Sequence, residues 1–247
     1  MYENNKVIIF SIVNDQKKFD GFKESLNGQV YVNYKLIPIS NFNGEFDSAR
    51  RAFNQSAENI DGTYYVFSHP DIRFLDSNAL SDIMKQIFVL DDFGVVGVAG
   101  AMRKGKHGRK IITTIVQGNK KEKVGEQING ITETQTVDEC FFVIKGSYFQ
   151  SHHFSDSPGW HLYSVEYCLE ALRNGNKNYV VPARIWHMSS GASLDEKYME
   201  QLEKLIRNYR DCFALIYTTV KAWPTKGSFA FLYRKYYWLK QRIKRII

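Results

Sequence analysis

The sequence predicts an α/β protein in which helices flank a mixed, mostly parallel β-sheet, with a helical extension at the C-terminal end. Two observations predict this class. Short apolar runs, typical of strands buried on both faces of a sheet, alternate with segments whose apolar residues recur at helical spacing. In addition, 44% of the 247 residues are hydrophobic, which is enough for one large core. Alternation of this kind favours right-handed crossovers between parallel strands.

The first 101 residues carry the alternation. In order, the predicted elements are a strand over 6–13, a strand over 34–39, a helix over 49–60, a strand over 63–67, a helix over 80–88 and a strand over 95–101. Polar residues that suit turns separate these segments. Ligands of such sheets bind beyond the carboxyl ends of the strands, so we expect a site where these strands end.

The alternation breaks after Ala101. Residues 102–110 form a basic stretch with two glycines, which we expect to be a mobile loop that either closes over an anionic ligand or is simply solvated. The elements predicted after this stretch are strands over 111–116 and 136–145, a helix over 162–172 that Gly175 ends, and a strand over 179–186.

The C-terminal part of the sequence differs in character from the rest. An apolar stripe over 199–220 predicts a long helix that packs back on the domain and is broken at Trp223 and Pro224. Beyond this break, apolar and aromatic residues alternate with cations at helical spacing. We therefore predict a domain over 1–192 and, over 193–247, a helical extension that ends in a basic amphipathic tail.

The charge is concentrated in that tail. Residues 221–247 contain eight Lys and Arg and no acid, so a net charge of +7 leaves 7 minus 8, or −1, on the other residues. The body therefore lacks the basic surface typical of nucleic-acid binders, and we expect no nucleic-acid partner. The tail suits the surface of an anionic membrane, and its alternatives are a dimerisation helix or a docking site for another protein.

The spacing of the cysteines and the composition of the first residues predict the cellular compartment of the protein. The three cysteines have no CxxC or zinc-type spacing, which is typical of reduced residues in a cytoplasmic protein. Residues 1–6 contain no hydrophobic run of the signal-peptide type, and no apolar stretch is long enough to span a bilayer. We expect a cytoplasmic protein that lies peripherally on the inner face of the cell membrane.

A His-x-Asp pair at the end of the strand over 63–67 is the most informative local feature. Side chains two apart on an extended chain point the same way, so His69 and Asp71 can share one small volume. An imidazole and a carboxylate there suit a divalent cation. The alternative is a capped strand end, in which Asp71 and Ser68 close a turn and His69 is a surface residue.

The order of several segments resembles the family 2-like glycosyltransferases of GT-A fold, and especially a bacterial branch in which histidine replaces the first acid of the Asp-x-Asp motif. No P-loop or Rossmann fingerprint competes with this resemblance. The segments that carry it are 52–71, 93–100, 137–145, 159–169 and 185–191, within roughly the first 190 residues.

The resemblance implies transfer of a sugar from a nucleotide-diphosphate donor, such as a UDP-sugar, to an acceptor hydroxyl, with inversion, in the assembly of a bacterial surface polysaccharide or glycan. It also implies a bound Mn²⁺ or Mg²⁺ that offsets the charge of the leaving diphosphate. Asp71 is the predicted metal ligand and His187 completes the coordination or holds a phosphate. His69 binds either the metal or the phosphate.

The acceptor hydroxyl must lose a proton, which requires a carboxylate near the reacting carbon. Glu166 matches the acidic position of the family in the helix over 162–172 and is the predicted base. Ser164 stands where the family often has a second acid. Asp138 is the reserve base or a ligand of the acceptor hydroxyl, and Trp160 either stacks on a sugar or anchors the core.

Further positions are predicted to contact the donor. The candidates for the base and ribose are Ser11, Asn14, Asn41 and Asn54, and those for the diphosphate are Arg103, Lys104, Lys106, His107 and Arg109. Asn and Ser at strand ends also form turns, which is the alternative for the first group. The competing hypothesis for the whole chain is a GT-A-like glycan-binding or scaffold subunit without activity. A homo-oligomer is compatible with either hypothesis.

Overall fold

The computed structural model describes residues 5–105, 108–189 and 195–246. Among the residues of the predicted site segments, Lys106, His107, Ser190 and Gly191 lie outside these ranges. The described residues form an α/β fold with a large central sheet and three smaller ones, which confirms the predicted class.

The helices and strands have the following bounds. Up to residue 123 they are β1 (Val7–Val13), α1 (Gln16–Asn27), β2 (Tyr34–Ser40), α2 (Ala49–Ala57), β3 (Tyr64–Ser68), β4 (Ile72–Phe74), α3 (Ala79–Phe88), β5 (Val96–Gly97), β6 (Ala99–Lys104), β7 (Gly108–Thr113), β8 (Val116–Gln117) and β9 (Glu122–Lys123). The remaining ones are β10 (Thr132–Thr134), β11 (Thr136–Val137), β12 (Phe141–Lys145), α4 (Gly146–Ser151), α5 (Tyr163–Arg173), β13 (Asn178–Val180), β14 (Ile185–His187), α6 (Glu196–Tyr209), β15 (Leu215–Tyr217), β16 (Ala222–Pro224) and α7 (Ser228–Ile246).

Seven strands form the central sheet in the order β10-β13-β5-β12-β3-β1-β2. β1 is parallel to β2 and β3, and β5 is parallel to β13, whereas β10 and β12 run in the opposite direction. Five of the seven strands therefore share one direction. The side chains of β1 and β3 are almost all buried, which explains why both strands are continuous apolar runs in the sequence.

Three chain segments meet where β3 ends. The backbone N–H of His69 donates to the carbonyl oxygen of Cys140 at 2.9 Å, which places the β11–β12 connection beside the β3–β4 connection. The backbone N–H of Met188 donates to the carbonyl oxygen of Asp71 at 3.0 Å, which adds the end of β14. Residues distant in sequence are thus collected at the carboxyl end of a central strand, as expected for a ligand site.

The C-terminal residues pack on the domain, as predicted for the helix in this region. Leu202 of α6 and Leu169 of α5 belong to one core cluster, and the side chain of Trp223 is fully buried within it. The amide of Gln135 also donates to the carbonyl oxygen of Leu215 at 3.1 Å, which ties β15 to the β10–β11 segment. The hairpin β15–β16 and the domain therefore share a hydrophobic core.

Four predicted strands are each divided in the structure. Those over 95–101 and 111–116 are divided into β5 and β6 and into β7 and β8, which belong to different sheets, and the other two are divided as follows. The strand predicted over 136–145 consists of β11 and β12, which a turn at 138–140 separates. The strand predicted over 179–186 consists of β13 and β14, which belong to different sheets. Both predictions were wrong for the same reason: buried residues flank each bend, so the apolar pattern continues across it.

The prediction of a long helix over 199–220 was also wrong, and so was that of a loop in the described parts of 102–110, which are largely strand. Helix α6 ends at Tyr209. Residues 215–217 form β15, which pairs with β16 in a hairpin, since aromatic and β-branched residues there favour a strand. The basic stretch forms the hairpin β6–β7, in which Lys104 pairs with Gly108. Met102 packs on the core, Arg103 and Lys104 are exposed, and the partly buried Arg109 donates from Nη1 to the carbonyl oxygen of Thr218 at 2.6 Å.

Candidate functional site

A cavity of about 700 Å³ opens at the point where these segments meet. His69 and Asp71 from the β3–β4 connection, His187 from β14, and Asp138 and Glu139 from the β11–β12 turn line it. With His161, which also lines it, the cavity combines three imidazoles with three carboxylates. A set of this kind at the carboxyl ends of parallel strands is typical of a site that binds a cation and a polar ligand.

His69, Asp71 and His187 form a compact cluster in which the three ligand atoms lie within 4.8 Å of one another. The Nε2 atom of His187 is 3.4 Å from Oδ1 of Asp71, and the Nδ1 atom of His69 is 4.0 Å from the same oxygen. The side chains of Asp71 and His187 are 12% and 7% exposed. The His-x-Asp pair therefore lies beside a buried histidine and not at an open strand end.

The buried polar atoms of this cluster favour the metal alternative over the capped strand end. Oδ1 of Asp71 and both ring nitrogens of His187 have no hydrogen-bond partner within the described ranges, although they are buried. Buried polar atoms in proteins almost always have partners, and leaving one unpaired costs about 1–3 kcal/mol. Unpaired lone pairs that converge on one point therefore fit a cation ligand set.

The electrostatics of the cluster also suit a cation. Although burial disfavours the charge of Asp71, His187 and His69 lower its pKa to about 2, so the carboxylate is ionised at neutral pH. Burial opposes the charging of His187, but Asp71 and Asp138 raise its pKa overall. Two imidazoles and one carboxylate match a first-row transition-metal ion such as Mn²⁺ better than Mg²⁺, which prefers oxygen ligands.

His69 differs from the other two members. Its Nε2 atom lies 3.0 Å from the hydroxyl of Tyr163, and its side chain is 36% exposed toward the cavity. Partial burial and the neighbouring His187 lower the pKa of His69, which keeps the ring neutral at pH 7. A neutral ring with one nitrogen engaged by Tyr163 can offer its other nitrogen to a metal or a phosphate.

Asp138 lies in the turn between β11 and β12, and both of its oxygens have partners. Oδ1 accepts the backbone N–H of Cys140 at 3.0 Å, and Oδ2 accepts the hydroxyl of Thr219 at 2.6 Å. Burial disfavours its charge, but His187 and the Thr219 hydroxyl bring the pKa of Asp138 below its ordinary value. Asp138 therefore stays ionised at the cavity wall and is a poor proton acceptor.

Glu166, the predicted base, lies elsewhere. Its Oε2 atom accepts Nε–H of Arg50 at 2.8 Å and the Ser155 hydroxyl at 2.9 Å, and the Arg50 side chain is only 3% exposed. Glu166 lines a separate pocket of about 280 Å³ and not the cavity of His69 and Asp71. A buried ion pair with Arg50 thus occupies this carboxylate away from the cavity, and the role of Glu166 as the base stays a prediction.

The predicted donor contacts are divided by the structure. Asn14 and Trp160 line a cavity of about 270 Å³ that also includes His69 and Asp71. Ser11, in contrast, is fully buried in β1. Asn14 and Trp160 are therefore the predicted residues that lie next to the metal-ligand cluster.

The other predicted contacts do not reach these cavities. The side chain of Asn41 accepts the backbone N–H of Phe46 at 2.8 Å, and that of Asn54 holds the backbone of Phe154 through two hydrogen bonds. Arg103 is on the exposed side of β6, where its Nε–H donates to the carbonyl oxygen of Gly105 at 2.7 Å. These side chains make turn and loop contacts in the structure, and their roles at the nucleotide stay predictions.

Sequence reasoning missed four residues of the site region. Glu139 lines the large cavity and Tyr163 lines the adjoining one of about 270 Å³, while Thr219 holds Asp138 and Arg50 neutralises Glu166. Glu139 had a usable signal, since it follows Asp138 just before an apolar strand. Arg50 and Thr219 had none, because their partners lie 116 and 81 residues away.

Comparisons with known proteins identify the family and the fold of the chain. A model described as "Glycosyltransferase like family" matches residues 8–209. A curated protein of Fuscovulum blasticum, "ATP synthase subunits region ORF 6", is 23% identical over 215 residues, which are 83% of this chain and 84% of that protein. Its name describes a gene region and states no activity.

Two solved structures are similar in fold. The mannosyltransferase PcManGT from Pyrobaculum calidifontis, in complex with GDP-Man and Mn²⁺, has a TM-score of 0.56 at 9% identity and covers 95% of this chain and 69% of its own. S. aureus TarS 1-349 has a TM-score of 0.53 at 12% identity and covers 83% of this chain and 66% of its own. Since the family model matches more than half of its residues, the chain belongs to the glycosyltransferase-like family, and it has the GT-A fold of these structures.

Proposed function

We propose that this protein is a metal-dependent glycosyltransferase that moves a sugar from a nucleotide-diphosphate donor, such as a UDP-sugar, to an acceptor hydroxyl. The observation that carries the proposal is the cluster of His69, Asp71 and His187, whose buried polar atoms converge without partners in the cavity. The solved relatives support it, since PcManGT was crystallised with GDP-Man and Mn²⁺ and TarS with UDP-GlcNAc.

Asp71 and His187 are the proposed metal ligands, which is the arrangement of the branch with a His-x-Asp motif. A divalent cation bound there supplies positive charge where the departing diphosphate gains negative charge. We expect Mn²⁺ to bind better than Mg²⁺ because two of the three ligands are imidazoles. His69, held by Tyr163, contacts the metal or a donor phosphate.

The donor lies across the adjoining cavity in this proposal. Asn14 offers an amide at the end of β1, and the ring of Trp160 offers a flat surface for the sugar or the base. Asp138 accepts a hydrogen bond from the acceptor hydroxyl, because it is ionised and faces the cavity. Direct displacement by the acceptor oxygen would invert the reacting carbon, which is the outcome that the family resemblance implies.

We place the acceptor at an anionic membrane and assign α7 to its surface, as in the assembly of a surface glycan at the inner face of a bacterial membrane. Within the described residues, no helix is long and apolar enough to cross a bilayer. Helix α7 exposes 86% of Phe229, 65% of Tyr236 and 52% of Leu239, and it carries no acid. Exposed aromatics between cations suit the headgroup region of an anionic bilayer.

A thermal-shift screen with nucleotide sugars tests the metal site. We expect a UDP- or GDP-sugar to raise the melting temperature only when Mn²⁺ is present, and we expect Asp71→Ala to abolish this rise. Asp61→Ala is the matched control, because the Asp61 side chain is 87% exposed and pairs only with Lys6 on the surface. If neither protein responds, or both respond equally, the assignment fails; glycan binding without transfer would favour a scaffold subunit.

Vesicle sedimentation tests the membrane assignment separately. Replacing Lys235, Lys240 and Arg242 by Gln removes three exposed cations of α7. At about 1 kcal/mol for each cation, binding to phosphatidylglycerol vesicles should weaken about 100-fold, while the melting temperature stays unchanged. Equal binding to neutral and anionic vesicles, or binding of RNA that the same variant loses, would contradict the assignment.

A further inference from the structure

Glu139 is a carboxylate that lines the cavity and has no role in the proposal above. It lies in the turn between β11 and β12, next to Asp138. Its Oε1 atom accepts the backbone N–H of Tyr163, the first residue of α5, at 2.8 Å. The first backbone N–H of α5 therefore holds the side chain of Glu139 in place. Only Oε1 of Glu139 makes this contact, so Oε2 is not needed for it.

The start of α5 explains why this carboxylate is fixed so firmly. Leu162, which precedes the helix, has a left-handed backbone (φ 60°) and an apolar side chain that cannot cap the helix. Glu139 supplies the acceptor that a capping side chain would otherwise provide. The resulting position is rigid, which a group that must meet a reacting atom requires.

The surroundings of Glu139 raise the pKa of its carboxyl group. Burial and the adjacent Asp138 raise its pKa to about 8, although Arg50 and the backbone N–H groups of Tyr163 and Leu162 act in the opposite direction. From the other packed elements, the rings of Tyr163 and Tyr198 also face it. At neutral pH most of Glu139 is therefore protonated, but its ionised fraction grows as the pH approaches 8 and is a stronger proton acceptor than an ordinary carboxylate.

The other carboxylates near the cavity are less suited to this task. Asp71 belongs to the metal-ligand cluster, and both oxygens of Asp138 already accept hydrogen bonds. Glu166 is neutralised by Arg50 outside the cavity, and Ser164 donates its buried hydroxyl to the carbonyl oxygen of Val137. Among the described acids that line the cavity, Glu139 is therefore the one whose carboxylate is best placed to accept a proton.

We propose that Glu139 is the catalytic base of the transfer, an assignment that rests on the proposed glycosyltransferase function. The acceptor oxygen forms a bond to the anomeric carbon while the bond from that carbon to the diphosphate oxygen breaks. The electron pair of the broken bond leaves with the nucleoside diphosphate. The proton of the acceptor hydroxyl passes to the carboxylate of Glu139, which releases it to solvent after the product leaves.

The variant Glu139→Gln tests this role without removing the contact to α5. The amide oxygen of Gln still accepts the N–H of Tyr163, but the amide cannot take up the proton of the acceptor. We expect the Mn²⁺-dependent thermal shift with the donor to be retained and kcat of transfer to fall by at least about 100-fold. Glu139→Asp should keep part of the activity. Glu133→Gln, which changes a glutamate exposed at the surface, is the matched control.

A second variant separates chemistry from structure. In Glu139→Ala, added formate should restore part of the transfer rate in proportion to its concentration, which a purely structural role would not allow. If Glu139→Gln transfers within about threefold of the wild type, the base assignment is overturned and the proposed function stands. If Glu139→Gln loses donor binding together with transfer, the residue is structural. If the wild type binds no nucleotide sugar with Mn²⁺ and transfers none, both proposals are overturned.

Discussion

The two sides of the start of α5 contain similar residues in opposite states. On one side, Glu139 faces the large cavity and meets Arg50 only as a more distant charge. On the other side, Glu166 accepts two N–H groups of Arg50 and the hydroxyl of Ser155. Glu166 is buried and Glu139 is partly buried, so the degree of burial alone does not identify a reactive carboxylate. The two differ in that Glu166 forms an ion pair with Arg50, whereas Glu139 does not.

The largest expected effect comes from breaking the ion pair. In Arg50→Met, Glu166 becomes a buried charge without a partner, and the free energy of unfolding should fall by about 3–5 kcal/mol. Chemical denaturation measures this loss. Arg51→Met is the matched control, because Arg51 is an exposed neighbour on α2 and should change stability by less than about 0.5 kcal/mol.

The double variant Arg50→Met with Glu166→Leu tests whether the lost stability comes from the unpaired charge of Glu166. Replacing both partners removes the stranded charge, so most of the lost stability should return. A double variant as unstable as Arg50→Met alone would mean that Arg50 acts through other contacts, such as its bond to the carbonyl oxygen of His161.

The next effect is a change in how stability depends on pH. The pKa of Glu139 rises from 4.5 to about 8 on folding, so the folded chain keeps a proton that the unfolded chain releases. Stability must then fall as the pH rises from about 4.5 to about 8, and the loss is complete above that range. In Glu139→Gln this part of the decline should disappear.

Denaturation curves of the wild type and Glu139→Gln between pH 4 and pH 9 measure this difference. Taking the difference between the two proteins cancels the contributions of Asp71 and His187, which both contain. Parallel curves would show that the pKa of Glu139 is the same in the folded and unfolded chains. In that case Glu139 would not differ from Glu166 in its proton affinity.

The smallest effect concerns Ser155. Its hydroxyl donates to Oε2 of Glu166 and accepts the backbone N–H of Ser157, so Ser155→Ala should cost about 1.5 kcal/mol of unfolding free energy. Transfer activity should not change, because this side of α5 is outside the reaction in our proposal. Lost activity at unchanged stability would return Glu166 to consideration as the base. Ser147→Ala on the exposed face of α4 is the control.

Parts of this arrangement could be predicted from the sequence because they depend on local order. The spacing of His69 and Asp71 after an apolar strand placed them together, and the order of segments added His187. The alternation of strands and helices predicted the sheet. In these cases one chain direction and one hydrophobic period determine where the residues lie.

The choice between the glutamates could not be predicted. Both follow apolar residues near the same helix, and the difference depends on Arg50, which is 116 residues from Glu166 in sequence. The turn that presents Glu139 was hidden as well, because the apolar residues of β11 and β12 continue on both sides of it. Long-range partners and bends within buried runs leave no periodic signal.

The C-terminal hairpin has a consequence for how related chains can diverge. Thr218, Thr219 and Val220, together with Tyr237 of α7, line the cavity, yet they lie beyond residue 209, where the family match ends. One wall of the cavity thus comes from a part of the chain outside the matched residues. Two relatives can share the same metal-ligand cluster and still offer differently shaped cavities, so acceptor preference can change through this wall while the chemistry stays constant.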